Sequence, residues 1–330
     1  MSKRTIRVLI HYFLTAQQSI LVGGQAIIEG VMMRVPGAYA IAVRNPQGQI
    51  ITRRREFTSL IEKYKILKTP VIRGMIALFE SMKMGISTLN ESAEIAYEEE
   101  AQSELSLKDK ILSFLATMLA LGIGLGLFFV TPLFVTGNLL NLSETAFTFN
   151  IVSGAIRIIL FLTYLWGISL MSDVKRLFQY HGAEHKTVYT FEAGKELDLE
   201  SARPFPTQHP RCGTSFIFIV LLSSILMFAV IDSIVKLFVG EMTLQIRLLT
   251  HLPLIPFVAG VGYEVLKLTS KYRHIAWVRG LAAPGIWLQN ITTRPPDDDQ
   301  LEVAIESLKV AFGDDLKKYQ GSSYVAEAID

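Results

Sequence analysis

The stretch ILSFLATMLALGIGLGLFFVTPLFV, from Ile111 to Val135, decides the fold class because it contains no charged residue. As an α-helix it is long enough to cross about 30 Å of hydrocarbon. Gly122, Gly124 and Gly126 would weaken a helix in water, whereas small residues in a bilayer allow close contact between helices. This stretch therefore predicts a transmembrane helix.

Three further apolar stretches predict additional spans. They lie at residues 151–172, 213–231 and 248–263. Arg157 falls inside the first of these three, and we expect its long side chain to reach the bilayer surface. The last stretch is short and contains two prolines. It predicts either a broken or tilted crossing or a re-entrant segment, and we expect the crossing.

The composition agrees with a membrane protein and limits the other classes. Apolar residues make up 50% of the chain and the mean hydropathy is +0.37, which is high for a soluble domain. The formal net charge of +2 supplies no strong basic field, so we expect no nucleic-acid partner. Cys212 is the only cysteine, which excludes an intramolecular disulfide.

Lysine and arginine positions orient the predicted bundle. They are frequent at 173–212 and after the fourth span, and absent between the first span and Arg157. The positive-inside rule therefore places the N-terminal region, the segment 173–212 and the C-terminus in the cytoplasm. The expected fold is mainly α: a polytopic membrane protein with about four transmembrane helices and small cytoplasmic α+β portions.

The predicted spans divide the chain into three regions. These are a cytoplasmic N-terminal region at 1–105, a transmembrane bundle with its polar segment at 106–268, and a cytoplasmic C-terminal region at 269–330. In the last region, Asp299 and Glu302 have the spacing of a capping box, which predicts the start of a helix.

The N-terminal region predicts a β-hairpin followed by a helix. The strands run from Tyr39 to Val43 and from Gln49 to Thr52, around an NPQG sequence that suits a type I turn. Val71 to Leu89 has the apolar periodicity of an amphipathic helix at a membrane surface. The acidic run at 98–100 predicts a solvated boundary before the first span.

The segment between the second and third spans contains the residues best suited to chemistry. In a helix, His181 and His185 project from one face and could share a zinc or similar divalent ion. Glu184 lies beside them, where a carboxylate can act as base towards a metal-bound water. His209 and Cys212 follow just before the third span, and both are ligand types suited to zinc.

Several interpretations of these residues remain open. Four protein ligands would indicate a structural metal, and three with an open position would indicate catalysis. Cys212 could instead be a nucleophile with a histidine as base, or a small buried residue at a helix start. In the glycine-rich stretch near the N-terminus, Glu29 and Arg34 predict a structural ion pair, with an approach of Glu29 to the histidines as the alternative.

Several motifs in order give the chain a resemblance to a known family. They are GGQAIIEGVMMR from Gly23, HGAEHKT from His181, HPRCGTSF from His209, GYE from Gly262 and TTRPPDDDQLEVAI from Thr292. They resemble the YqhQ-like proteins, a bacterial family of unknown function described as metal-dependent membrane proteins. The resemblance implies a polar site of His181, Glu184, His185, His209 and Cys212, with Glu29, Arg34 and Glu264 as supporting groups around it.

Two main functions follow as expectations. The first is a metal-dependent, hydrolytic enzyme of the bacterial cytoplasmic membrane, with zinc as the divalent ion, Glu184 as the catalytic residue and a membrane-embedded substrate. The alternative is a non-enzymatic assembly or scaffold factor that binds other membrane proteins, with a structural metal or none. A transporter is disfavoured because no span carries paired charges at mid-depth and no inverted repeat is visible.

Overall fold

The structure is a computed structural model that describes residues 20, 22–97, 107–142, 145–272, 275–322 and 324. Within this part the chain is mainly α-helical and contains one small antiparallel sheet, which confirms the predicted fold class. The acidic run at 98–100 lies outside the described residues.

The sheet is a four-stranded meander near the start of the chain. Its strands are β1 (Gly23–Ile27), β2 (Gly30–Val35), β3 (Ala38–Arg44) and β4 (Ile50–Glu56), paired in that order. The predicted hairpin corresponds to β3 and β4. Its turn is closed by the Gly48 N–H, which donates to the Asn45 carbonyl at 2.9 Å. Gly48 has a φ of +81°, a conformation that glycine adopts without strain.

Helices form the remainder of the described fold. They are α1 (Leu60–Lys63), α2 (Ile72–Ala96), α3 (Leu107–Leu125), α4 (Thr131–Phe134), α5 (Ala146–Ile168), α6 (Ser172–Glu192), α7 (Leu199–Ala202), α8 (Gly213–Val239), α9 (Leu244–Lys271), α10 (Ala276–Thr292), α11 (Asp298–Phe312) and α12 (Leu316–Tyr319). The predicted amphipathic helix corresponds to α2 and continues beyond the expected Leu89 to Ala96.

In the part of the chain that the structure describes, four helical segments are long and apolar enough to cross a membrane. They are Phe114–Leu139, Ala146–Ile168, Gly213–Val239 and Leu244–Thr269. The first passes from α3 through two π-helical turns and α4. The fourth is longer than expected, because Pro253 and Pro256 lie inside α9 without ending it. A helix in a bilayer tolerates such prolines because neighbouring helices can satisfy the backbone groups that they leave unpaired.

Buried polar groups lie inside the bundle, and one of them corrects a sequence expectation. Arg157 is only 8% exposed and its Nε donates to the Phe128 carbonyl at 3.0 Å, so it does not reach the bilayer surface. Asp232 of α8 is fully buried and pairs with Arg247 and His251 of α9. Because Arg247 lies in the first turn of α9, this charge pair is near the helix ends rather than at mid-depth.

The sheet joins the polar helices into one layered unit. The face with Val31, Met33 and Val35 packs in a single core with residues of α6 and α11. The opposite face, with Met32 and Ile41, packs against Met84 of α2. Because residues alternate between the two faces of a strand, β2 contributes to both cores.

Asp297 starts α11 with a capping box. Its side chain accepts from the Gln300 N–H at 2.8 Å, and Gln300 Oε1 accepts from the Asp297 N–H at 3.1 Å. The start predicted from Asp299 and Glu302 is therefore wrong by two residues. The sequence offers both spacings, and the structure uses the one that leaves Asp299 exposed.

Replacing Asp297 by alanine is expected to lower the free energy of unfolding by about 1 kcal/mol, because the cap bond is lost. Asp299→Ala is the matched control and should change stability by less than half of that. Thermal unfolding in a neutral detergent measures both variants. An equal loss in the two would contradict the assigned helix start.

Candidate metal centre

Helix α6 presents the HGAEH motif on one side, as the spacing predicts. His181 and His185 lie one turn apart, with their ring centroids separated by 4.5 Å. His185 is buried, and His181 is partly exposed. The two imidazoles therefore face a shared space rather than separate surroundings.

Two backbone carbonyls fix the orientation of these imidazoles. Nδ1 of His181 lies 2.8 Å from the Thr292 carbonyl oxygen, and Nδ1 of His185 contacts the Thr207 carbonyl oxygen. A carbonyl oxygen only accepts, so each Nδ1 carries the hydrogen. In the neutral rings, each Nε2 then carries a free lone pair, which is the arrangement of a metal-ligating histidine.

Gly182 makes this arrangement possible between the two histidines. A Cβ at this position would lie 2.1 Å from the Arg294 carbonyl oxygen. The chain after α10 crosses α6 here, and the Arg294 N–H donates to the Phe178 carbonyl at 2.9 Å. Only glycine allows this close approach, which brings the Thr292 carbonyl to His181.

Cys212 meets the histidines from the start of α8. It is the N-cap of that helix, and its Sγ lies 3.2 Å from Nε2 of His181. One donor atom from each of His181, His185 and Cys212 fits within 4.8 Å of the others. The two sequence motifs therefore come together in space.

His209 is adjacent to this His/His/Cys cluster but outside it. Its ring centroid is 5.6 Å from that of His185, while its Nε2 lies 3.4 Å from Oε2 of Glu192. Its backbone is clamped by Gln289, which accepts from the His209 N–H at 2.7 Å and donates to the His209 carbonyl at 2.8 Å. The geometry thus favours Cys212 over His209 as the third donor.

Glu184 is buried beside the cluster. Its Oε2 lies 3.4 Å from Nε2 of His185. Because burial removes the carboxylate from water, it raises the pKa of Glu184 above its ordinary value. If the Glu184 carboxyl were ionised and the His185 ring neutral, the lone pairs of Oε2 and Nε2 would face and repel each other. A proton or a metal cation between these groups removes that repulsion.

A cavity of about 540 Å³ lies against these groups. His181, Glu184, His185 and Cys212 all line it. Residues from β1, β2, α2, α6 and the first turns of α8 form its walls. The donor set is thus accessible to a small molecule, in contrast to a metal site closed by four protein ligands.

The three supporting residues expected from the resemblance have different surroundings. Glu29 accepts from Arg176, with Nη2 to Oε2 at 2.6 Å, so the predicted Glu29–Arg34 pair is wrong. Arg34 lines the cavity. Glu264 pairs with Arg73, with Nε to Oε1 at 2.8 Å, and accepts from the Val71 N–H, which holds that residue at a φ of +70°.

Sequence reasoning missed the groups that orient the ligands. The Thr207 and Thr292 carbonyls are backbone groups, so the residue types in the sequence do not indicate their role. Gln289 and the ion pair between Arg211 and Glu192 were also missed. The polar residues near the end of α10 were the one available sequence signal for Gln289.

Comparisons with known proteins agree with the sequence resemblance. Residues 69–314 match a family model described as "Protein of unknown function (DUF1385)". The chain is 35% identical over 300 residues to the "Uncharacterized protein YqhQ" of Bacillus subtilis (strain 168), covering 86% of this chain and 90% of that protein. No solved structure matches the chain. The family match includes the His/His/Cys cluster and all four candidate spans.

Proposed function

Since this chain belongs to the DUF1385 family of unknown function, we propose from its site that it is a metal-dependent membrane enzyme of hydrolytic type. The observation that carries the proposal is that Nε2 of His181 lies 3.2 Å from the Cys212 sulfur, with a donor nitrogen of His185 within 4.8 Å of both, beside a cavity. Imidazole and thiolate are both ligand types that zinc accepts, and three protein ligands would leave its fourth position open.

The residues around the proposed ion have separate roles. His181, His185 and Cys212 hold it, and the two threonine carbonyls keep the imidazoles in position. Bound zinc would supply a Lewis acid that polarises the reacting oxygen of a substrate. Glu184 then receives or delivers a proton at its carboxyl oxygens, and its burial suits a carboxyl that changes protonation state.

The proposed location is the cytoplasmic face of a bacterial inner membrane. Lys175, Arg176 and Lys186 lie on α6, which connects the second and third spans on the side of the sheet. The positive-inside rule places such a segment in the cytoplasm. With four spans, both termini then lie on that same side.

Glu184→Gln is expected to retain the metal and lose catalysis, because the amide matches the carboxyl in shape but cannot exchange a proton. We expect turnover to fall by about 10²- to 10⁴-fold, the usual contribution of a general acid or base. The assay compares lipids and peptides of cells expressing parent or variant protein by mass spectrometry, followed by turnover of the changed compound with purified protein.

Glu196→Gln is the matched control, since Glu196 is an exposed carboxylate just after the same helix. It should leave both metal content and turnover at the parent level. Unchanged turnover in Glu184→Gln would remove Glu184 from the reaction. Tight metal binding with no compound changed in either preparation would favour the alternative, a scaffold with a structural metal.

A further inference from the structure

Arg34 is a cation in the metal cavity that the proposed chemistry leaves unused. It lines the cavity from β2, and its guanidinium lies over the Phe57 ring, 4.5 Å from the centroid. Among the described residues, it has no hydrogen-bond partner and no carboxylate within ion-pair distance. Its hydrogen-bond donors are therefore available to a ligand.

The surroundings of Arg34 favour an anion at this position. Burial lowers the pKa of Arg34, because the guanidinium is partly withdrawn from water. Glu80 acts on it only from a distance, since its carboxylate accepts from Ser59 Oγ and the Leu60 N–H, both at 2.7 Å. A partly buried charge without a direct counterion is costly, and a bound anion offsets that cost.

The walls of the same cavity are largely apolar. Leu78 and Met84 of α2 face it, together with Phe216 and Ile217 of α8. Phe216 and Ile217 belong to a helix that is long and apolar enough to cross the membrane, and Ile217 is 44% exposed. One wall of the cavity is thus continuous with the surface that faces the bilayer.

Helix α2 provides a second contact with lipid next to the cavity. One of its faces exposes Ile72, Phe79, Met82, Ile86 and Leu89, of which Phe79 is 63% exposed. These positions recur at helical spacing and form an apolar stripe. An exposed stripe of this kind is typical of a helix that lies in a membrane interface. The cavity therefore lies beside lipid on both α2 and α8.

We propose that this cavity binds a phosphate-bearing amphiphile that enters from the bilayer. Arg34 contacts the phosphate, since its planar fork matches phosphate oxygens, and the apolar part lies along α2 and α8. A volume of about 540 Å³ suits a head group and the first part of its chain. The identity of this ligand as substrate rests on the proposed function, whereas its binding requires only Arg34 and the apolar walls.

Calorimetric titration of the purified full-length protein in a neutral detergent tests this proposal with dihexanoyl phosphatidic acid. We expect Arg34→Gln to weaken binding by about tenfold or more, because charge-assisted hydrogen bonds to the phosphate are lost. Arg53→Gln is the matched control, since Arg53 lies on the same sheet and pairs with Glu91 at 2.8 Å. It should bind as the parent does.

Two further titrations identify the ligand class. Inorganic phosphate and decanoate should each bind at least about tenfold more weakly than the phosphatidic acid, because each lacks one of the two recognised parts. Equal binding of inorganic phosphate would contradict the amphiphile, and equal binding of decanoate would contradict the phosphate. Equal affinity in Arg34→Gln would overturn the proposal itself.

Metal-free protein separates this inference from the proposed function. The parent protein treated with a chelator should still bind the phosphatidic acid with the same dependence on Arg34. Loss of binding in Arg34→Gln with no metal in the parent would support the lipid site and contradict the metalloenzyme. Metal in the parent without any Arg34-dependent binding would give the opposite result.

Discussion

Cys212→Ala is expected to lose zinc while the protein remains folded. The thiolate is one of three proposed ligands, and its sulfur lies within 4.8 Å of a donor nitrogen of each of the two histidines. Loss of an outer group that only orients a ligand weakens metal binding about 10- to 100-fold. Loss of a ligand itself should therefore weaken zinc binding by more than about a hundredfold. Elemental analysis and competition with a chelator of known affinity measure the change.

His209→Ala is the matched control for this prediction. His209 is buried beside the cluster, but its Nε2 faces Glu192 rather than the Cys212 sulfur. We expect the zinc affinity of this variant to lie within about tenfold of the parent's, because the substitution changes a group beside the ligands and not a ligand. Equal loss in both variants would show that His209 is a ligand and would replace the three-residue set by a closed one.

Asp232→Ala is expected to destabilise the bundle by about 3–5 kcal/mol, because it leaves Arg247 buried without its counterion. Asp232 accepts from three side chains on two neighbouring helices: Arg247, His251 at 2.7 Å and Asn150 at 2.8 Å. Asp232 and His251 are fully buried, and Arg247 is 1% exposed. Thermal or denaturant unfolding in detergent, followed by circular dichroism, measures the loss.

A double variant distinguishes an unpaired charge from a lost contact. Asp232→Leu with Arg247→Leu removes both charges together, and an apolar pair often replaces a buried ion pair without loss of stability. We expect the double variant to be more stable than Asp232→Ala. A loss of about 1 kcal/mol is typical of single substitutions. If the free energy of unfolding of Asp232→Ala lay within about 1 kcal/mol of the parent's, that result would contradict the buried pair.

Local patterns predicted the elements of this fold well. The uncharged stretch from Ile111 indicated a span, and the NPQG turn indicated the β3–β4 hairpin. The i, i+4 spacing of His181 and His185 predicted their common face, because helical periodicity is a local property. Each of these features depends on residues that are neighbours in the chain.

Features that depend on distant residues were not predictable from the same patterns. Arg157 was expected at the bilayer surface, but the Phe128 carbonyl on a neighbouring helix satisfies it within the bundle. Glu29 was expected to pair with Arg34, five residues later in the chain, and instead binds Arg176 of α6. Only packing between elements decides such choices.

The choice of ligands shows the same division. The sequence placed His181, His185, His209 and Cys212 in one short segment, and because histidine and cysteine both suit zinc it gave no way to choose among these four residues. Glu192, about two turns after the HGAEH motif on the same helix, contacts the ring of His209 in the folded chain. The structure thereby groups His181, His185 and Cys212 as three donors close to one another.

X-ray absorption at the zinc edge of the zinc-loaded protein tests the central claim most directly. The His181, His185 and Cys212 site predicts one sulfur neighbour at about 2.3 Å and two imidazole nitrogens at about 2.0–2.1 Å. The sulfur signal should vanish in Cys212→Ala and persist in His209→Ala. A zinc environment of oxygen and nitrogen alone in the parent protein, or no zinc retained after loading, would contradict the proposed centre.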